Sequence, residues 1–272
     1  MDIMNGCLLI HGFTGSPYEV EPVTNHLANM GWRVEAPILA GHLGHSQALR
    51  DTNWHDWIRS AEIVLKELLQ TCTKVYIIGF SMGGMIAAYL SVRYPVERLV
   101  LLNASLYYMN SQQLFKDFAR VIKGHFSSNF YDQETIRRYM NKISKTPPRA
   151  VMHFRRLVKV VSEDLNRVQV PTLIIQGGKD DLVEPRSAYQ IYQTIQSQDK
   201  EIHILPESKH IICHDCDCFN RTFSPWGIGG ICRADQKKTT GPFFLPGKQN
   251  RGFINSRVHR EYCRFISYGF IL

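Results

Sequence analysis

The sequence predicts an α/β fold in which helices flank a mostly parallel sheet. Apolar runs of strand length alternate with helix-length amphipathic segments, which is the pattern of repeated βαβ units. The run at residues 74–79 is almost continuously apolar, as expected for a central parallel strand that is buried on both faces. With 44% hydrophobic residues in a chain of 272, the sequence can form one large core. Strands are predicted at residues 6–10, 33–36, 74–79, 98–103, 171–176 and 201–205.

Helices are predicted between the strands. Asn53 can cap a helix whose apolar positions recur every three or four residues, which is typical of a helix packed on a sheet. Core packing is the simplest interpretation of this stripe, which consists of Trp57, Ala61, Val64, Leu65 and Leu68. Other helices are predicted at residues 17–30, 82–93 and 185–195.

Between residues 106 and 168 the alternation of strands and helices stops. That segment is rich in Phe and Tyr and carries helical spacing without strand-like runs. We therefore predict a helical cap inserted between two core segments, residues 1–105 and 169–218.

The segment at residues 219–272 differs in composition from the rest of the chain. It contains nine basic and two acidic residues, a net charge of +7 out of +8 for the whole chain. Gly and Pro are scattered through it without a sustained helical or strand period, so we expect an atypical, poorly ordered basic tail. A change of reading frame near residue 218 is one hypothesis for this composition. The nearly neutral body lacks the basic folded face that nucleic-acid binding requires.

Several features of the sequence indicate where the protein works. The apolar run at residues 6–10 is too short for the core of a signal peptide, and no apolar stretch approaches the ~20 residues of a bilayer span. Seven cysteines without regular spacing favour a reducing compartment. We therefore expect a soluble, cytoplasmic protein without an integral membrane segment. The cysteines and histidines at residues 210–218 lack the spacing of a structural zinc site, so neither a metal nor another cofactor is expected.

Residues 79–83 read Gly-Phe-Ser-Met-Gly and match the G-x-S-x-G nucleophile elbow. The motif lies between the predicted central strand and a predicted helix, which is the context that gives it meaning. In such an elbow the turn is so sharp that glycine is needed on both sides of the serine. Ser81 is therefore the candidate nucleophile of a serine hydrolase.

Residues 11–15 read His-Gly-Phe-Thr-Gly and follow the first strand. Hydrolases with a nucleophile elbow build half of their oxyanion hole at this position. The backbone N–H groups of Phe13 and Met82 are the candidate donors to a developing oxyanion. A tight strand-to-helix turn in which His11 only packs is the alternative.

A serine hydroxyl needs a histidine to accept its proton and a carboxylate to orient that histidine. Asp180 follows the strand at residues 171–176, and His210 lies in a loop after the strand at residues 201–205, in the order serine, acid, histidine. Asp181 is a rival for the acid, and His214 is a rival for the base. A pair of aspartates that only forms a turn is the simpler alternative.

Together these motifs resemble the bacterial carboxylesterase and monoacylglycerol lipase family of α/β hydrolases. The resemblance covers most of residues 6–218. It rests on residues 11–17, Ala36-Pro37, Gly41-His42, Trp54, Trp57, and the segments 79–84, 177–183 and 208–210. It implies the α/β-hydrolase fold, a triad of Ser81, Asp180 and His210, an oxyanion hole formed by Phe13 and Met82, and a cap over an acyl pocket.

The expected function is hydrolysis of small-molecule carboxylic esters, with short to medium acyl chains or monoacylglycerols, through an acyl-enzyme intermediate. Phe115, Phe118 and Ile122 recur on one face of a predicted cap helix and are candidates for binding the substrate, although ordinary core packing explains the stripe equally well. A thioesterase, another acyl hydrolase of this fold, and a hydrolase-fold protein that only binds an apolar ligand are the alternatives. The oligomeric state stays open.

Overall fold

The computed structural model describes residues 4–42, 46–107, 146–180 and 182–214, apart from the side chains of residues 46 and 47. All of these residues belong to the unit Met1–Asp215. The predicted tail at residues 219–272 and most of the predicted cap lie outside the described residues. So do Asp181 and the candidate substrate-binding residues Phe115, Phe118 and Ile122.

The predicted α/β fold is confirmed. Within the described residues, six parallel strands pair in the order β2-β1-β3-β4-β5-β6. The strands are β1 (Asn5–Ile10), β2 (Arg33–Glu35), β3 (Lys74–Phe80), β4 (Arg98–Leu102), β5 (Thr172–Gly177) and β6 (Lys200–Leu205). Each lies within one residue of its predicted bounds, because apolar runs that are buried on both faces stand out in the sequence.

Burial separates the middle of the sheet from its edges. β1, β4 and β5 are almost entirely buried, and their sequences are close to continuous apolar runs. β2 and β6 are only partly buried and carry charged residues. The middle strands therefore form the rigid base on which loops at the carboxyl edge are positioned.

Five helices are formed by the described residues: α1 (Glu21–Asn29), α2 (Trp54–Thr71), α3 (Met82–Ser91), α4 (Pro148–Asp164) and α5 (Arg186–Thr194). The predicted helix at residues 17–30 is divided, since Pro17–Val20 is a 3-10 turn and only α1 is α-helical. Pro22 lacks the N–H that a continuous α-helix would direct at the carbonyl of Tyr18. The N–H of Glu21 donates to that carbonyl instead.

The predicted cap of α2 is confirmed at Asn53. Its side chain accepts a hydrogen bond from the N–H of His55 at 2.9 Å, and the Asp56 carboxylate accepts one from the N–H of Asn53 at 2.9 Å. The stripe of Trp57, Ala61, Leu65 and Leu68 is buried. It faces a core to which α2, α3 and α4 contribute and in which these helices contact one another.

The strand order places a topological switch point between β1 and β3. β2 pairs with β1 on one side of that strand, and the chain then returns to form β3 on the other side of β1. Loops at the carboxyl ends of such strands diverge and leave a crevice in which ligands bind. None of the helices formed by the described residues is long and apolar enough to cross a membrane.

Candidate active site

Ser81 lies in the turn that joins β3 to α3, and its backbone is strained. Its φ of 54° and ψ of −117° lie in a region that L-residues rarely adopt. The N–H of Ser81 donates to the carbonyl of Leu102 at 2.8 Å, and the Ser81 carbonyl accepts from the N–H of Gly84 at 3.0 Å. This turn keeps the serine at the carboxyl edge of the sheet, as the elbow motif predicts.

Close packing of the backbone explains why glycines surround Ser81. A Cβ on Gly79 would overlap the carbonyl of Gly83, and a Cβ on Gly83 would overlap the carbonyl of Ile10 at the end of β1. A Cβ on Gly12 would lie only 3.2 Å from the Cβ of Ser81. The elbow and the loop after β1 therefore pack backbone against backbone.

The candidate acid and base are brought together. His210 Nδ1 lies 3.0 Å from Asp180 Oδ1 and 2.9 Å from Oδ2, and both side chains are almost fully buried. A carboxylate only accepts hydrogen bonds, so Nδ1 carries a proton, and in the neutral ring the lone pair then lies on Nε2. A proton on Nδ1 is the tautomer that a histidine base requires. The ring of His210 packs on the ring of Phe80, the neighbour of Ser81, with centroids 5.0 Å apart.

Other donors stabilise the buried charge of Asp180. Oδ1 accepts hydrogen bonds from the N–H groups of Leu182 and Val183, each at 2.9 Å. Oδ2 accepts one from Gln176 Nε2 at 3.2 Å. Burial of a carboxylate is costly unless hydrogen bonds replace its hydration, and these three donors do so. The turn that sequence alone offered as a simpler interpretation therefore also orients the carboxylate of the candidate acid.

The rival histidine makes different contacts. His214 Nε2 donates to the carbonyl of Tyr18 at 2.6 Å, and the two rings stack with centroids 4.4 Å apart. His214 thus holds the turn at Ile212–His214 against the Pro17–Val20 turn. Of the two candidate bases, His210 is the one bonded to Asp180.

His11 holds the loop after β1 by hydrogen bonds. Its Nε2 accepts from the N–H of Leu39 at 3.1 Å, so Nδ1 carries the proton and donates to the carbonyl of Gly12 at 2.9 Å. The interpretation in which His11 only packs is therefore too simple. Met82 is the first residue of α3, where a backbone N–H has no acceptor within the helix.

The side chain of Phe13 packs against other aromatic rings. Its ring stacks on Phe154 of α4 with centroids 5.0 Å apart, and it contacts Trp57 of α2 at 5.6 Å. Trp57 in turn contacts His42 edge-on at 5.7 Å. The motif residues His42 and Trp57 thus pack against the side chain of Phe13.

Sequence reasoning missed two buried polar residues beside the site. Glu19 is 5% exposed, and its Oε2 accepts from the N–H of Gly12 at 2.8 Å, while Gly15 leaves the space that its carboxylate occupies. Gln176 at the end of β5 is fully buried and binds Asp180. A polar residue that ends an apolar strand was the available signal for Gln176. For Glu19 no signal stood out, because charged residues are common in a short turn.

The described residues contain no group of three or more His, Cys, Asp or Glu side chains that could hold a metal ion. Cys7, Cys72 and Cys213 are free thiols. Burial raises the pKa of Cys7, and burial followed by the charge of Glu19 raises the pKa of Cys213. A raised pKa disfavours the thiolate, so neither of these two cysteines resembles a reactive nucleophile.

Comparison with known proteins decides the family. The model of the family described as serine aminopeptidase, S33, matches residues 4–217. The chain belongs to the serine aminopeptidase S33 family. It is an α/β hydrolase of the lipase and esterase type, and the resemblance seen in the sequence motifs is confirmed.

Two curated relatives of this S33 family member have names that indicate ester substrates. It is 30% identical over 227 residues to a thermostable monoacylglycerol lipase of Bacillus sp. (strain H-257), covering 78% of this chain and 85% of the lipase. It is 24% identical over 212 residues to a carboxylesterase of Bacillus subtilis (strain 168), covering 76% and 85% of the two chains.

Solved structures of lipolytic enzymes share the fold of this S33 family member. One of the metagenome-derived lipolytic enzymes LipS and LipT superposes with a TM-score of 0.66 at 24% identity, covering 82% of this chain and 93% of the other. A monoacylglycerol lipase of Paleococcus ferrophilus superposes with a TM-score of 0.60 at 18% identity, with the same coverage. At these identities the likeness concerns the fold alone.

Proposed function

We propose that this protein is a serine esterase that hydrolyses carboxylic esters with short to medium acyl chains, including monoacylglycerols. The observation that carries the proposal is the buried His210–Asp180 pair at the sheet edge that also bears the strained Ser81. The names of the curated relatives, a monoacylglycerol lipase and a carboxylesterase, support ester substrates.

In the proposed first step, Ser81 Oγ attacks the carbonyl carbon of the ester while His210 Nε2 accepts the hydroxyl proton. The C–O bond to the alcohol then breaks, and the alcohol leaves with the proton from Nε2. In the second step, water attacks the acyl-enzyme, gives its proton to Nε2, and the carboxylic acid is released as Ser81 regains its proton. Asp180 stabilises the imidazolium through Nδ1 and keeps its own charge.

The proposed oxyanion hole consists of the backbone N–H groups of Phe13 and Met82. Support comes from the position of Met82 at the first residue of α3 and from the fixed loop around Phe13. Donors that are fixed before the reaction cost no reorganisation, and loss of one such donor raises the barrier by ~3 kcal/mol. Phe115, Phe118 and Ile122 remain the proposed lining for the acyl chain.

The proposal is tested with p-nitrophenyl esters of increasing chain length, a monoacylglycerol, an acyl thioester and an aminoacyl p-nitroanilide. We expect kcat/KM to be highest for short to medium esters and to fall by ~10⁴-fold or more in Ser81→Ala. Ser91→Ala is the matched control, since Ser91 is also buried on α3 but only bonds the carbonyl of Ala88.

The other substrates decide between the alternatives. Preferred turnover of the thioester would favour a thioesterase, and preferred turnover of the p-nitroanilide would favour the peptidase activity that the family description names. Undiminished ester turnover in folded Ser81→Ala would contradict the proposed nucleophile. Binding of the esters without any turnover by the wild type would favour a ligand-binding protein.

A further inference from the structure

Asn103 is a buried polar residue that the proposed mechanism does not use. It directly follows β4, between the elbow on one side and β5 on the other. Its side chain is fully buried, and its φ is 46°. Asn is among the few residues that adopt a positive φ at small cost, so the backbone conformation favours Asn at this position.

The amide of Asn103 joins two loops that are far apart in sequence. Its Oδ1 accepts a hydrogen bond from the N–H of Gly177 at 2.7 Å. Its Nδ2 donates to the carbonyl of Lys209 at 3.1 Å and to the carbonyl of His210 at 2.6 Å. One side chain therefore binds both the start of the loop that carries Asp180 and the main chain of His210 itself.

The surroundings of Asn103 leave little freedom for another arrangement. Its backbone N–H donates to the carbonyl of Ile175 at 2.9 Å, which fixes Asn103 to β5. A Cβ on Gly177 would lie 2.6 Å from the carbonyl oxygen of Ser208 and 2.7 Å from that of Lys209, so the base-bearing loop packs directly on the end of β5. The bonds from Asn103 join that loop to the ends of β4 and β5.

We infer that Asn103 is a positioning residue that fixes the main chain of His210 and thereby the distance from its Nε2 to Ser81. This inference rests on the proposed esterase function, because it assigns a role within that reaction. A misplacement of about 1 Å in a catalytic group costs on the order of 10²-fold in rate, so a bond to the main chain of the base is well placed to affect the rate.

The chemistry of the amide makes the inference testable, because its acceptor and its donors serve different loops. Asn103→Gly removes both functions while tolerating the positive φ. Asn103→Asp keeps an acceptor for Gly177 but loses both donors to the carbonyls at 209 and 210. Thr172→Val is the matched control, since Thr172 is buried at the opposite end of β5 and its Oγ1 donates to the carbonyl of Val170 at 2.8 Å.

We expect Asn103→Gly and Asn103→Asp each to lower kcat on a short p-nitrophenyl ester by about 10²-fold with KM little changed. Thr172→Val should leave kcat within about twofold of the wild type. If Asn103→Asp restored the wild-type kcat, the bond to Gly177 alone would matter and the inference would be wrong. Should Asn103→Gly fail to fold, Asn103→Asp decides the question, because it retains the link to β5.

A double-mutant cycle separates positioning of the base from general destabilisation. If Asn103 acts through His210, adding Asn103→Gly to His210→Ala should change the residual rate by no more than about twofold. A further loss as large as in the wild-type background would contradict the inference. A wild type without any ester turnover would overturn the proposed function, whereas active protein with wild-type kcat in both Asn103 variants would overturn this inference alone.

Discussion

The two halves of the candidate site are built by different means. The half that carries Ser81 and the loop at residues 11–15 depends on backbone geometry: glycines, positive φ angles and the tight packing of β1 against the elbow. The half that carries Asp180 and His210 depends on hydrogen bonds, from the side chains of Gln176 and Asn103 and from the N–H groups of Leu182 and Val183.

This difference explains which supporting residues can be read from the sequence. Backbone geometry restricts the residue at each position, so the first half appears as two contiguous motifs, at residues 11–15 and 79–83. Side-chain hydrogen bonds join residues that lie far apart in sequence, as Asn103 and His210 do. The difference between the halves also predicts how each responds to substitution. Steric overlap in the first half should lower stability, and loss of a hydrogen bond in the second half should misplace a side chain.

The largest expected effect in this comparison is on turnover and falls in the half that carries the proposed acid and base. His210→Ala should lower kcat on a p-nitrophenyl ester by ~10⁴-fold or more, because the proposed acceptor of the Ser81 proton is removed. Asp180→Asn should cost somewhat less. Both variants should remain folded, but with a lower melting temperature than the wild type, because each loses one partner of a buried hydrogen-bonded pair.

His214→Ala is the control for that prediction. His214 bonds the carbonyl of Tyr18 at the surface, so this variant should retain most of the activity. An inactive His214→Ala beside an active His210→Ala would show that the base is assigned to the wrong histidine.

In the backbone half, Gly83→Ala should reverse the usual effect of alanine in a helix. A Gly-to-Ala change within a helix typically stabilises by roughly 0.5–1 kcal/mol. Here the new Cβ would overlap the carbonyl of Ile10, and overpacking of this kind costs about 1–3 kcal/mol. Urea unfolding measures the sign directly. A Gly83→Ala variant that is more stable than the wild type would show that a methyl group fits between the elbow and Ile10.

Gly31→Ala is the matched control for the glycine prediction. Gly31 has a φ of 80°, and no heavy atom outside its immediate neighbours lies within 4 Å of the position that a Cβ would take. The variant therefore meets backbone strain without steric overlap. We expect a loss of about 1–2 kcal/mol in the free energy of unfolding and unchanged kcat.

A third prediction concerns Glu19, whose side-chain hydrogen bond to Gly12 holds the loop at residues 11–15 in the first half of the site. Glu19→Ala leaves the N–H of Gly12 without this acceptor and should lower the free energy of unfolding by about 1–3 kcal/mol. The loop that carries Phe13 should also loosen, so kcat should fall more than KM rises. Glu21→Ala, an exposed neighbour, should change stability by no more than ~0.5 kcal/mol. Equal effects of the two variants would contradict the assigned role.

The smallest expected effect is a pH dependence that arises at His153 on α4. Both ring nitrogens of His153 are buried and have no hydrogen-bond partner among the described residues. Burial first, and then the charges of Arg149 and Arg156, lower the pKa of His153. Because Phe154 next to it supports Phe13, a charge at His153 would disturb the backbone half of the site.

The sign of this dependence follows from proton uptake. The lowered pKa means that unfolded protein binds more protons below the ordinary histidine value of about 6.5, so the free energy of unfolding falls as the pH decreases through that range. His153→Leu cannot take up this proton. Urea unfolding at pH 5 and pH 7.5 should therefore show a smaller decrease in the variant than in the wild type. Equal decreases would place the pH dependence elsewhere.

The sequence was sufficient for most of the described fold and for naming the candidate residues Ser81, Asp180 and His210, but not for the side chains that hold them in place. Strand bounds were predicted to within a residue because the strands are apolar runs, whereas the division of the helix at residues 17–30 was missed because it depends on the single N–H that Pro22 lacks. Ser81 was predicted from its motif. Asn103 and Glu19 could not be predicted, since their roles depend on loops that only the folded chain brings together.

The central claim is that Ser81 is an activated nucleophile, and reaction with a fluorophosphonate tests it most directly. The folded wild type is incubated with the probe, digested and mapped by mass spectrometry, beside Ser81→Ala and His210→Ala. We predict one adduct, on the peptide that contains Ser81, with none in Ser81→Ala and much slower labelling in His210→Ala. An unlabelled but folded wild type, or an adduct on another serine, would contradict the account.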